Sequence, residues 1–348
     1  MSLIRLIKSN VLRTLDFTGF NTLVLNSSWR DRRLAIVCWH GVSNDDEHCW
    51  NPGLYMPVEK FRRRLDELRA MRCTLLPLAQ GLARLRSGSL PARAVCLTVD
   101  DGDSGFYLRA WPLLREYGFP ATLYWTTYYS TRPYAVFDPM LSYLLWKGRE
   151  RTLTLNHPDL RCDLRDTHER ERAFTAIYQF SKANAWTANR KEAFLAELSR
   201  LLGIDYALIK SRRVLHLITP AEARSMVAEG LDLQLHTHRH RVPTQREQFA
   251  AELTENSQIL RQAGAATPAH FCYPSGSFLP QFADWLRASG IESATTCRFG
   301  LVERGSDPYF LPRLMDHGAI GAAEFRGGLS GIAALLSRHR GVPRHGFA

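Results

Sequence analysis

The 348 residues are 45% hydrophobic and 23% charged, enough to bury the core of one large α/β domain or two smaller ones. The formal charge of +11 is mostly scattered arginine, and its compact clusters (Arg62, Arg63 and Arg64; Arg212 and Arg213; a tail with Arg338, Arg340 and Arg344) lack interleaved aromatics. That pattern argues against a nucleic-acid binder and leaves anionic lipid or phosphate-bearing glycans as the partners such charge attracts. Seven cysteines, an odd number without C-x-x-C spacing, read as reduced thiols and point to the cytoplasm.

Residues 1–30 form a first segment in which Leu3, Ile4, Ile7, Val11, Leu12 and Leu15 recur with helical spacing, with Arg5, Lys8 and Arg13 between them. It lacks the apolar block and cleavage site of a secretory signal and predicts a basic amphipathic helix, packed on the domain's flank or touching a membrane surface. Nothing elsewhere approaches the ~18 apolar residues that span a bilayer. Residues 31–348 form the second segment. It opens on the strand "LAIVCWHGV", followed by a helix from Pro57 with Phe61, Leu65 and Leu68 on one face. A short helix then leads to the apolar run "AVCLTVDDGDSGF", the helix "WPLLREYG" and the strand "PATLYWTT". From about 138 to 215 the periodicity is helical, without a strand signal, which marks a helical insertion. Alternation returns at "ITPAEARSMVAEG", where Thr219, Pro220 and Glu222 make a capping box. Then come the strand "LDLQLHTHRH", a helix over 247–262, the strand "AHFCYPSG", a helix over 281–289, the strand "ESATTCRFG" and the segment "YFLPRLMDHG".

Such alternation builds an open doubly wound sheet or a closed β/α barrel, and both gather reacting groups at the carboxyl ends of the strands. His40, Asp100, Asp101, His236, His240 and Tyr273 all fall at or just beyond such ends. Adjacent carboxylates at Asp100 and Asp101 repel unless something positive sits nearby, and a bound cation is the obvious candidate. Leu231, Leu233 and Leu235 face one way along their strand, so His236 starts on the polar face. His236 and His240 can converge from a strand end, and with one carboxylate they make a three-ligand set for Zn²⁺, Co²⁺ or Ni²⁺ with an open position. Taken singly, Asp-Asp-Gly is commonly a turn and a His-rich stretch is commonly surface; together at strand ends they point to a site.

"LTVDDG" resembles the T-F-D-D-G motif, and "HTHRH" the H-[S/T]-x-x-H motif, of the polysaccharide deacetylases of carbohydrate esterase family 4. "FCYPSG" occupies the place of that family's third motif, and the resemblance covers about residues 34 to 317. It implies the distorted (β/α) barrel of the NodB-homology type and a metal-dependent N-deacetylase, less often an O-deacetylase. The substrate would be an N-acetylated saccharide or lipid-linked glycan in surface-polysaccharide or glycolipid assembly. The same resemblance makes Asp100 the general base, Asp101, His236 and His240 the metal ligands, and Thr237 a brace for the histidine loop. Chemistry supports those roles, since an acetamide is a poor electrophile that needs polarisation, activated water and a base off the metal. Backbone N–H groups near Tyr273 are expected at the oxyanion.

The chain also departs from the family. Where the third motif carries an arginine, this sequence reads Cys272-Tyr273-Pro274-Ser275, so Arg298 or Arg313 is the candidate to orient Asp100. The fourth motif is not recognisable, and Trp285 reads as core. For the acid that protonates the departing amine, His317 matches the fifth motif weakly, whereas "CWHGV" resembles the first strand of the permuted branch that includes the poly-N-acetylglucosamine deacetylases. In a closed barrel the first and last strands are neighbours, so His40 is expected as the acid. The alternative function is a glycan-binding or scaffolding protein that kept the fold and lost the activity.

Overall fold

The computed structural model describes residues 3–336, and the arginine tail of Arg338, Arg340 and Arg344 lies outside the described residues. Its centre is a ring of seven parallel strands: β1 (Arg33–Trp39), β2 (Ala94–Asp101), β3 (Thr122–Trp125), β4 (Asp232–Leu235), β5 (His270–Cys272), β6 (Ser293–Phe299) and β7 (Leu311–Met315). The ring closes because β1 pairs on one side with β2, in register Ala35 to Val95, and on the other with β7, in register Val37 to Leu314. Of the two architectures the alternation allows, this is the barrel. Thr74–Leu75 extends it parallel to β2, and Val302–Glu303 lies antiparallel on β1.

Strand alternation divides the core in two. Ala35, Val37, Val95, Leu97, Val99, Leu123, Leu233 and Leu235 face outward under the helices, while Leu34, Ile36, Ala94, Cys96, Tyr124 and Cys272 fill the barrel interior. Both faces are therefore buried, which is why β1 and β2 read as unbroken apolar runs. The N-terminal helix α1 (Leu3–Phe17) turns Leu12 onto Ile332 and Ala333, and Arg326 pairs with Asp16 across that contact.

Between β3 and β4 the chain leaves the barrel for a second core of Met140, Leu144, Leu153, Leu160, Ile177 and Leu198. This segment contains the helices α2 (Phe137–Lys147), α3 (Thr167–Ala183) and α4 (Ala188–Leu201), but it is not wholly helical. Thr152–Asn156 and Asp159–Asp163 form an antiparallel hairpin whose Leu153, Leu155, Leu160 and Cys162 alternate inward. The chain then returns through the capping box of Thr219 and Glu222 at the start of Pro220–Ala228. No described helix is long and apolar enough to cross a membrane.

Candidate metal and acid–base site

The mouth of the barrel carries two neighbouring acidic groups with different partners, and the backbone explains how. Asp100 continues the inward face of β2 after Ala94, Cys96 and Thr98, and it is buried. Asp101 has φ 70, followed by Gly102 at φ 85, so the chain leaves the strand's alternation there and Asp101 turns upward. Only glycine fits position 102, because a Cβ would lie 2.4 Å from the Trp125 ring. Thr237 (φ 60) and His240 (φ 53) likewise adopt left-handed backbone, which costs about 1–3 kcal/mol each and folds the histidine loop back over the mouth.

Asp101 Oδ1 lies 3.1 Å from Nε2 of both His236 and His240. Nδ1–H of His236 donates to the Cys272 carbonyl at 2.8 Å, which fixes the tautomer and leaves the Nε2 lone pair facing Asp101. Burial opposes the charge on Asp101, but the two imidazoles outweigh it and hold its carboxyl well below the usual range. One anionic oxygen and two imidazole nitrogens within 4.8 Å of one another suit a borderline divalent cation such as Zn²⁺. Asp100, His236 and Cys272 also lie that close together, but Arg313 already supplies that cluster's positive charge and burial pushes the Cys272 thiol up. The first set, with no guanidinium against its carboxylate, is the better donor set for a metal.

Asp100 is gripped by Arg313 from β7, with Nη1 to Oδ1 and Nη2 to Oδ2 both at 2.7 Å. Burial disfavours the charge on Asp100, but the guanidinium outweighs it and keeps the carboxyl far below the usual range, so it stays an ionised proton acceptor. Arg313 is itself buried and donates Nε–H to the Thr296 carbonyl at 3.0 Å. Of the two arginines the sequence leaves open, the geometry selects this one. Arg298 does not take that place: its guanidinium lies 4.5 Å over the Phe278 ring, beside a surface pocket.

His40, at the end of β1, places Nε2 3.8 Å from Asp100 Oδ2 and lines the cleft above the site. His317 lies past the end of β7 with Nδ1 3.0 Å from the Pro52 carbonyl. Of the backbone N–H groups near Tyr273 expected at the oxyanion, that of Tyr273 itself is already engaged: it donates to the Thr295 carbonyl at 3.2 Å, and the ring is buried among Phe271, Phe278 and Phe310. Trp285 packs on Phe249 and Phe282, as core. His238 turns away to Thr127 Oγ1 at 2.8 Å, and Thr237 Oγ1 accepts from the Arg241 amide at 3.1 Å within the histidine loop.

Two bracing residues escape sequence reading. Asn256, fully buried on the helix Arg246–Gln262, accepts from the His236 amide at 2.9 Å and donates to the Trp125 carbonyl at 2.9 Å. Glu252 on the same helix accepts from the Arg239 amide at 2.7 Å. A signal for both exists: the spacing of Phe249, Glu252, Leu253, Asn256 and Leu260 puts two polar residues on an otherwise apolar stripe.

A family model described as polysaccharide deacetylase matches residues 87–294. The poly-beta-1,6-N-acetyl-D-glucosamine N-deacetylase of Escherichia coli strain K12 is 30% identical over 101 residues, which is 29% of this chain and 15% of that protein. Among solved structures, a Streptococcus pyogenes deacetylase, PplD, in complex with acetate superposes with TM-score 0.54 at 15% identity, over 83% of this chain and 94% of that one. IcaB from Ammonifex degensii superposes with TM-score 0.53 at 17% identity, over 87% and 97%. At such identities the two structures support the fold.

Proposed function

This chain belongs to the polysaccharide deacetylase family, and on that premise we propose that it is a metal-dependent deacetylase removing the N-acetyl group from a sugar during surface-polysaccharide or glycolipid assembly. The observation that carries the reading is the pairing of two units at one barrel mouth: a donor set of Asp101, His236 and His240, and beside it a carboxylate locked by Arg313. The poly-beta-1,6-N-acetyl-D-glucosamine N-deacetylase relative supports an N-acetylated saccharide as substrate.

When bound, a divalent ion would polarise the amide carbonyl and bring the acidity of water towards ~7. The chain supplies the rest. Asp100 accepts the proton of the attacking water, and Arg313 keeps it ionised and aimed. As the new C–O bond forms and the C–N bond breaks, His40 gives a proton to the departing amine, so the products are acetate and a free amino sugar. In His40→Ala we expect loss of most turnover with metal retained; the same pattern in His317→Ala alone would reassign the acid. The test of the reading as a whole is acetate release from N-acetylated oligosaccharides by protein loaded with Zn²⁺, Co²⁺ or Ni²⁺. Glycan binding without acetate release would favour the catalytically impaired binder instead.

The proposal places the protein in the cytoplasm at the inner leaflet, on the strength of its cysteine usage and its N-terminal helix. Ile7, Val11 and Phe17 project from α1 into solvent, Phe17 being 93% exposed, and Arg13 is exposed on the flank of that uncharged stripe. Flotation with anionic but not zwitterionic vesicles, lost in Phe17→Glu, is the expected result, and equal flotation of the variant would remove the membrane contact.

A further inference from the structure

The cleft above the site is walled unlike a groove built for a bare polysaccharide. It encloses about 400 Å³, with His40, Asp101 and His240 on one side. The rest of its lining comes largely from two segments outside the barrel strands: the stretch after β1, with Trp50 and Leu54, and the excursion between β3 and β4, with Val136, Pro139, Phe174 and Leu217. These segments are tied to each other. Trp50 Nε1–H donates to Ser142 Oγ at 3.3 Å, Lys147 pairs with Asp46 at 2.8 Å, and Arg212 pairs with Asp45 at 2.9 Å, so the apolar wall is a built feature.

A chain of sugar units needs a hydrogen-bond partner for most of its hydroxyls, and unpaired hydroxyls buried against Leu54, Val136 and Phe174 would be costly. No lysine or arginine is among the lining residues, and of its carboxyls burial raises Asp138 and pushes Asp103 up to about 8, so no side chain there offers a cationic partner and a neutral ligand suits the walls best. Beneath the site, Asp100 is packed against the polar groups of Arg313 and Cys272, and Arg313 also reaches Thr98 Oγ1, surroundings that do not suit a long acyl chain. The apolar surface lies on the outer walls, where the remainder of the substrate would extend.

We propose that the cleft takes a neutral saccharide whose N-acetylated unit carries an apolar substituent, an alkyl or isoprenyl aglycone, seated against Trp50, Leu54, Phe174 and Leu217. The inference rests on the deacetylase reading and narrows its substrate class.

The experiment compares the octyl β-glycoside of N-acetylglucosamine, below its micelle concentration, with N-acetylglucosamine and its tri- and tetrasaccharides, following acetate with the Zn²⁺-loaded protein. The octyl glycoside should exceed every unsubstituted sugar in kcat/KM by at least about tenfold, since apolar burial adds binding that the sugars lack. That ratio should fall toward one in Phe174→Ala and in Leu54→Asn. Rates that rise with oligosaccharide length and gain nothing from the octyl group would overturn the inference, as would faster amide cleavage of N-octanoylglucosamine. If no substrate releases acetate, the deacetylase reading fails separately, and the change in tryptophan fluorescence on binding to metal-free protein, taken as the part lost in Trp50→Phe, still decides the cleft. The octyl glycoside should bind there about tenfold or more tighter than the free sugar, and equal affinities would refute the proposal.

Discussion

Asp100→Asn should keep its metal and lose roughly 10²- to 10⁴-fold in turnover, because an amide cannot accept the proton that general-base catalysis removes from water. The substitution preserves shape, and the donor atoms of Asp101, His236 and His240 remain in place. It nonetheless leaves Arg313 facing an uncharged partner in a buried site, so some loss of thermal stability is expected as well. Metal analysis beside steady-state rates checks this. A variant that loses its ion together with its activity would show that Asp100, not Asp101, is the ligating carboxylate.

Arg313→Met should be the more damaging change. Both partners are essentially excluded from solvent, and removing one charge of a buried pair typically costs about 3–5 kcal/mol. Without the guanidinium, burial dominates and pushes the Asp100 carboxyl upward, so the acidic limb of kcat/KM should move to higher pH while turnover collapses. The stability consequence has a definite sign. The folded pKa of Asp100 lies below its ordinary 3.8, so pairing stabilises the native state above that value and the benefit is lost as pH falls through the depressed folded value. The variant should therefore lose stability at neutral pH and show a flatter acid dependence than the parent. Arg313→Lys keeps the charge but not the two-pronged grip, and should recover only part of the rate. A merely structural arginine would lower stability and leave the acidic limb where it was.

How Asp100 and Arg313 meet also shows what the sequence could and could not reveal. The apolar run into Asp100 and Asp101, and the polar face leading to His236, are local patterns with a period of two, so the donor set was legible. The opposite directions of the two aspartates follow from alternation plus one left-handed residue, which the neighbouring Gly102 hints at. The partner of Asp100, by contrast, depends on β1 closing the ring between β2 and β7, a pairing across 213 residues that no local pattern encodes. Two arginines therefore remained open, and only the barrel decided between them. The engagement of the Tyr273 amide is hidden for a similar reason: its partner on the next strand is a backbone carbonyl, which carries no sequence signature. The hairpin in the excursion is a different kind of miss. "TLTLN" and "DLRCD" do alternate, but five-residue strands among long amphipathic helices are easily absorbed into the helical rhythm around them.

On the proposed function, Asp101, His236 and His240 hold the ion on which acetate release depends. Zinc content and acetate release should be measured together in the parent protein, His236→Ala, His240→Ala and Asp100→Asn, with circular dichroism to confirm folding. About one zinc per chain is expected in the parent and in Asp100→Asn. Content should fall sharply in both histidine variants, with activity strongly reduced in all three. Full zinc occupancy in folded His240→Ala, or undiminished acetate release from protein stripped of metal, would contradict this assignment.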